Sequence, residues 1–258
     1  MFYSPYFTFN GIHCLDTGVR IVSFDSDVLN EFGINYKEDV IVGESSKNNF
    51  YYRKKVTPEP ITLNIVAVDE KDQPVPWDFK KINDITRWLL TPYFCEFTSE
   101  DTPELLYYFK CIEIKKKITY ARLGVLEVTF QPETSYGLTS TLHFAHICHG
   151  DLDVKIDNVS NIGENYFPKI EIVQHSKNKE DIIIENKDVS KTPLIIKNLE
   201  YGEKIVIDNG LKIIESSKGI NRLNDINRSW IELKYGVNRF IITGECQINI
   251  VCQFPMIV

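Results

Sequence analysis

Period-two alternation of stiff and aromatic side chains runs through this 258-residue chain and governs what it can fold into. Ile61, Leu63 and Ile65 alternate with Thr62, Asn64 and Val66. Ile231, Leu233 and Tyr235 alternate with Glu232 and Lys234, and Ile248, Ile250, Cys252 and Phe254 alternate with Asn249, Val251 and Gln253. Successive side chains of a strand point to opposite faces, so this spacing dresses one face of a sheet for a core. Only three alanines occur (Ala67, Ala121, Ala145), while Ile, Val, Tyr, Phe and Thr abound, and those side chains suit a pleated surface better than a helix. One stretch breaks the rule. Between Pro76 and Pro92, Ile82, Ile85, Trp88 and Leu89 recur at three- and four-residue steps, placing them on one stripe of a helix over about 78–91.

These patterns divide the chain in two. Short β-rich pieces (Tyr6 to Phe9, Val19 to Phe24, Val40 to Val42) open the first half, and Gly43 to Pro60 then supplies Gly, Ser, Asn, charge and two prolines around an aromatic cluster. That composition reads as a long loop or an arm. Leu105 to Ile118 and Gly124 to Phe130 read as two long neighbouring strands joined near Ala121 to Gly124. The first half is therefore expected to be a twisted antiparallel sheet or small β-barrel, residues 1–135, with the one helix packed on it. Pro132, Gly137 and a Ser/Thr run suggest a linker over 136–150. Roughly eight or nine short strands are expected in 151–258, with turn signals about every ten residues, which indicates a β-sandwich of the jelly-roll or galectin kind. Within it, Asn209-Gly210 lies between alternating apolar runs, as in a type I′ hairpin turn.

Every apolar run is cut within a few positions, so no segment offers the roughly 18 apolar residues of a spanning helix. The N-terminus lacks a basic region and does not read as a signal peptide. Lys+Arg total 29 against Asp+Glu 36, and the acidic excess holds in both halves, so the basic footprint of nucleic-acid binding is missing. The six cysteines are scattered with no CxxC pair. Cys246 and Cys252, on one strand, lie about 20 Å apart at ~3.3 Å per residue, too far to bridge each other. All six read as reduced thiols of a protein made in a cytosol.

Candidate chemistry is sparse. His143, His146, Cys148 and His149 are side chains that zinc accepts, but on a strand His143 and His149 face one way and His146 and Cys148 the other. They read better as a polar interdomain segment than as a metal site. No GxSxG elbow occurs, and Gly43 to Lys47 (GESSK) lacks the spacer and second glycine of a phosphate loop. Glu100-Asp101, Asp151 with Asp153, and Glu180-Asp181 read as solvated charge rather than glycosidase pairs. The runs Arg53-Lys54-Lys55 and Lys115-Lys116-Lys117 are too short for a base-stacking track. Trp230 and Tyr235 form a weak candidate sugar platform, with Tyr235 expected on the inward stripe of its strand. No catalytic residue, metal site or cofactor is expected, so binding or assembly remains.

The order of several segments resembles a known family. FTFNG (Phe7 to Gly11), the arm, the helix carrying ITRWL (Ile85 to Leu89) and VTFQP (Val128 to Pro132) resemble the N-terminal half of siphophage distal tail proteins. YFPKIEI (Tyr166 to Ile172), NLEYGEKIVIDN (Asn198 to Asn209), WIELKYGVN (Trp230 to Asn238) and the closing CQFP (Cys252 to Pro255) are similar to that family's galectin-like domain, in its short form without an added carbohydrate-binding module. The resemblance implies a non-enzymatic hub of the virion tail tip, assembled in the host cytoplasm. In that role a homohexameric ring joins the tail tube protein to the tip protein and docks receptor-binding proteins, and DNA passes the lumen without specific binding. A closed ring needs a heterologous interface. Phe50, Tyr51, Tyr52, Arg53, Lys54 and Lys55 of the arm are its candidate contact. The alternative is a lectin-like protein attaching to host cell-wall sugars.

Overall fold

The computed structural model describes residues 4–22, 36–44, 50–189 and 192–257, with the backbone alone over 36–44 and 50–56. The chain divides into two compact units, Met1–Leu138 with Ile257–Val258, and Thr139–Met256. Both are built of antiparallel strands.

The first unit holds β1 (Phe7–Phe9), β2 (Ile12–His13), β3 (Val19–Val22), β4 (Tyr36–Glu44), β5 (Phe50–Pro58), β6 (Ile61–Ala67), the helix α1 (Phe79–Leu89), β7 (Cys95–Ser99), β8 (Leu105–Ile118), β9 (Gly124–Pro132) and β10 (Gly137–Thr139). Its sheet runs β2-β1-β7-β8-β9-β6-β3, with β10 beside β8, while among the described residues β4 and β5 pair only with each other. The expected loop over 43–60 is thus largely strand, and residues 45–49 of it lie outside the described residues. The helix starts where Asp78 caps it, the carboxylate accepting from the Lys81 N–H at 2.6 Å, which satisfies an otherwise orphaned donor. Its apolar stripe of Ile82, Ile85 and Leu89 is buried. Trp88, on the same face, donates from Nε1 to the Phe9 carbonyl at 3.0 Å and stacks on Phe7 at 5.8 Å. The core beneath is aromatic: Phe97 lies 4.7 Å from Phe109 and 5.3 Å from Phe7, and Phe9 lies 5.4 Å from Phe130, between ring centroids.

The second unit holds β11 (Leu142–Asn158), β12 (Lys169–Gln174), β13 (Ile182–Asn186), β14 (Leu194–Ile196), β15 (Lys204–Asp208), β16 (Ile213–Ser216), β17 (Gly236–Cys252) and β18 (Pro255–Met256). Its sheet runs β14-β13-β17-β12-β15-β16, with β11 on the other edge of β17. Residues 142–150, expected as linker, are the first half of β11. They are held as strand by β17, which pairs with β11 along its whole length. Along its other edge β17 pairs first with β13 and then with β12, the exchange falling around Gly244. Gly244 has φ +135°, and a Cβ there would stand 3.2 Å from the Asp181 carbonyl oxygen, so only glycine serves at this change of partner. The even-numbered residues of β17 from Asn238 to Cys252 are buried. They meet inward faces of β12, β13, β14 and β15 in one core rich in isoleucine.

Two expectations are corrected here. Asn209-Gly210 lies in a β15–β16 hairpin, but the left-handed residue of the turn is Lys212 (φ +59°), and neither Asn209 nor Gly210 has a positive φ. Asn209 is instead buried, donating to the Pro168 carbonyl at 2.7 Å and accepting from the Ile231 N–H at 2.8 Å. Tyr235 does not continue an inward stripe. Among the described residues the 231–235 segment joins no ladder and makes one isolated β-bridge, Leu233 with Tyr166, and Tyr235 is 73% exposed.

Candidate assembly surfaces

The arm residues Phe50, Tyr51, Tyr52, Arg53, Lys54 and Lys55 fall on the backbone of β5, which pairs with β4 from Phe50 opposite Glu44 to Pro58 opposite Tyr36. Their side chains lie outside the described residues, as do Ser45 to Lys47 of the GESSK segment. Among the described residues β4 and β5 form a two-stranded ribbon with no ladder to the main sheet, held by its own pairing.

The histidine-rich segment lies along β11. His143 and His149 share one face, where His143 Nδ1 meets Asn249 at 3.2 Å and His149 Nδ1 meets Glu245 at 2.9 Å. Cys148 points the other way into the core, its thiol on the Gly150 and Ile242 carbonyl oxygens at 3.3 Å each. Among the described residues no three His, Cys, Asp or Glu side chains converge as metal ligands, and no helix is long and apolar enough to cross a membrane.

Several of the other charges make local ties. Asp153 takes Arg239 at 2.6 Å and Asp151 accepts from Thr243 at 2.7 Å. Glu100 meets His13 at 3.1 Å and Asp181 meets Lys197 at 3.5 Å. Lys117 turns to Glu127 on the neighbouring strand, and Lys115 pairs chiefly with Glu113 at 2.9 Å while also lying 3.9 Å from Glu127; the Lys117 contact holds the Glu127 carboxyl below the ordinary carboxylate range. Cross-strand pairing of this kind answers a basic run with acid. Trp230 is half-buried against the second core. Beside it, Asn186, Val189 and Thr192 leave about 10 Å³, room for one water rather than a sugar ring. Among the described ring contacts none joins Trp230 to Tyr235, and Tyr235 is 73% exposed.

Two features of the second unit carry no local sequence signal. Beside the outer strand β16 lies an open groove of about 600 Å³, lined by Ile213, Ile214, Ser216, Ile220, Asn221 and Leu223, with Leu211 71% exposed at its end. Behind it, Glu203 and Arg222 form a buried ion pair at 2.7 Å. Glu203 also accepts from Ser216 at 2.6 Å and Arg222 reaches Asp225 at 3.1 Å. Burial pushes the Glu203 carboxyl up, but hydrogen bonds from Arg222, Ser216 and the backbone outweigh it and hold the group at about 2. This network ties the 200–203 turn before β15, the end of β16 at Ser216 and the 222–225 segment in one arrangement.

Family comparison agrees with this architecture. A model described as a phage tail protein N-terminal domain matches residues 2–133, and one described as a phage tail C-terminal domain matches residues 136–252. The SPβ prophage-derived protein YomH of Bacillus subtilis strain 168 is 24% identical over 251 residues, covering 96% of either chain. Among solved structures, the Dit (gp 19.1) protein of phage SPP1 matches with a TM-score of 0.63 at 13% identity, over 96% of this chain and 98% of that one. A chain of the phage p2 baseplate matches with a TM-score of 0.43 at 13% identity, over 93% and 92%. The chain is a member of the phage tail protein family that these two domain models describe, in the fold of a distal tail protein.

Proposed function

We propose that this phage tail protein is the hub of the tail tip: six copies of the first unit close a ring between tail tube and tip protein, and the second unit docks receptor-binding or other baseplate proteins. The observation that carries the reading is the joint match of both domains, 2–133 and 136–252, to phage tail models. It is supported by a fold shared over nearly the whole chain with SPP1 Dit, described as a paradigm of the hub adsorption apparatus in phages infecting Gram-positive hosts. In this reading the β4–β5 ribbon lies across the neighbouring copy and buries area that one subunit cannot supply alone. The groove beside β16, where Ile213, Ile214, Ile220 and Leu223 alternate with Lys212, Glu215, Ser216 and Asn221, offers the second unit a mixed apolar and polar surface, and the Glu203–Arg222 pair keeps it rigid for docking. The acidic excess of the first half limits electrostatic drag on DNA passing the lumen.

Negative-stain images of the purified chain, alone and mixed with tube and tip proteins, test this. Rings of about six copies are expected, and replacing residues 36–58 by a short Gly/Ser connection is expected to leave folded monomers. Intact rings from that deletion would remove the arm from the interface. A lone subunit at high concentration that joins neither tube nor tip would overturn the hub, and saturable binding on a glycan array would favour the lectin alternative.

A further inference from the structure

Cys148 and Cys246 stand directly opposite each other in the β11–β17 ladder. Both are fully buried, and the two thiols interact side chain to side chain. Residues so opposed have Cα atoms about 4.5–5.5 Å apart, inside the ~4.4–6.8 Å range that a disulfide spans. The other ladders offer no such match: they set Cys252 opposite Leu142, Cys95 opposite Phe109 and Cys111 opposite Phe130.

Access to the pair follows from where β11 sits. Among the described residues it pairs with β17 alone, so it is an edge strand there. Between Leu142 and Asp151 the only fully buried side chain is Cys148 itself. Gly150 lies opposite Gly244, and both have positive φ, so the ladder is at its least regular two residues beyond the thiols. Few apolar contacts hold this end of β11, which makes it a site of low-energy local opening.

We propose that Cys148 and Cys246 are an oxidisable pair that closes into a cross-strand disulfide and fastens the free edge strand β11 to β17. A small-molecule disulfide such as oxidised glutathione serves as the two-electron oxidant. One cysteine, as thiolate, attacks a sulfur of the oxidant and displaces its first thiol. The second cysteine, also as thiolate, then attacks the protein sulfur of that mixed disulfide and displaces the other thiol. The S–S bond of the oxidant breaks and the protein S–S bond forms, and the two cysteine protons end on the two released thiols. Burial pushes the Cys246 thiol up to about 12, so reaction runs through the opened edge and is slow in the closed fold.

The full chain is incubated with excess oxidised glutathione, digested without reduction and mapped by mass spectrometry, and its melting is followed with and without reductant. The expected result is one linked peptide pair, Cys148 with Cys246, and four remaining thiols of the six. Melting of the second unit should rise by roughly 10 °C, since the closed loop is long, and return on reduction. Cys252→Ala should keep the link and the rise, while Cys246→Ala should lose both. Six unreacted thiols, a glutathione adduct on either cysteine without the internal link, or a link that leaves melting unchanged or lower would each overturn the proposal.

Discussion

The two units solve the same problem with different interiors. The first is packed with rings, Phe7, Phe9, Phe97, Phe109, Phe130 and Trp77, and among its described residues the only buried polar side chain is Ser99. The second is packed mainly with isoleucine, and it buries Asn158, Gln174, Asn186, Glu203, Asn209, Arg222 and Asn238. The difference follows from what each core must hold. Strands and one helix close the first, and large rings span the gap between them. The second contains long non-strand segments whose backbone groups need partners once buried. Side-chain amides supply them: Asn186 donates to the Glu232 carbonyl at 2.8 Å, and Asn158 donates to the Leu233 and Lys234 carbonyls at 3.3 and 3.2 Å. The first unit is held chiefly by ring packing with a few clamps from the Trp77 and Trp88 indole N–H groups to backbone carbonyls, the second by apolar packing plus a larger set of buried polar side chains.

That contrast can be broken at either end. Phe97→Ala should cost the first unit about 3–5 kcal/mol, the cost of a cavity in a ring-packed core. Arg222→Ala should cost the second unit about 3–5 kcal/mol by stranding the buried Glu203 charge. Hydrogen exchange under denaturant, read peptide by peptide, should show each loss confined to its own unit. A loss spread equally over both would end the view of two separate cores. Replacing Glu203 and Arg222 together by Leu and Met should recover most of the second loss, because no unpaired charge remains.

Asn209→Ala should cost about 1–3 kcal/mol, since it leaves the Pro168 carbonyl and the Ile231 N–H without their partner. Chemical denaturation followed through Trp230 reports it. Acid should also separate the units. Glu203 is held at about 2 in the fold against an ordinary 4.5, so the folded state binds this proton more weakly than the unfolded chain. Its contribution is full above pH 4.5 and is lost as pH falls toward 2. Melting temperatures of wild type and Glu203→Gln should therefore converge over that window. A gap that stays constant down to pH 2 would show the carboxylate to be unimportant. The smallest effect expected is that of Gly210→Ala. Its φ is not positive and its nearest contact would be Asp208 Oδ1 at 3.5 Å, so the change should be neutral or stabilise by ~0.4–1 kcal/mol. A type I′ turn would instead make it destabilising.

Much of the scaffold was legible. Strand β8 runs from Leu105 to Ile118, as its composition and turn signals indicate, and the helical stripe of Ile82, Ile85 and Leu89 is the buried one. Ile248, Ile250, Cys252 and Phe254 are all fully buried, as period two requires. The errors have a common source. Residues 142–150 carry histidines, a glycine and exposed polar neighbours, and they are strand because β17 pairs with them from the far end of the unit. Asn209 looked like turn chemistry, but its amide was taken up by Pro168 and Ile231. Tyr235 fits an alternating pattern on a segment that has no ladder to enforce it. The groove beside β16 and the Glu203–Arg222 pair had no signal at all, since ion pairing leaves no periodicity.

What the chain determined by itself was whatever neighbours a few residues away can enforce: side-chain period, helix capping by Asp78, the β character of nearly every segment and the apolar face of each. Tertiary structure decided which polar groups go inside, which strand is left at an edge, and that Cys148 meets Cys246. The reason is range. Local spacing is written into consecutive residues, whereas register between β11 and β17 is settled only when distant strands share one core and each buried polar group finds the partner that offsets its lost water.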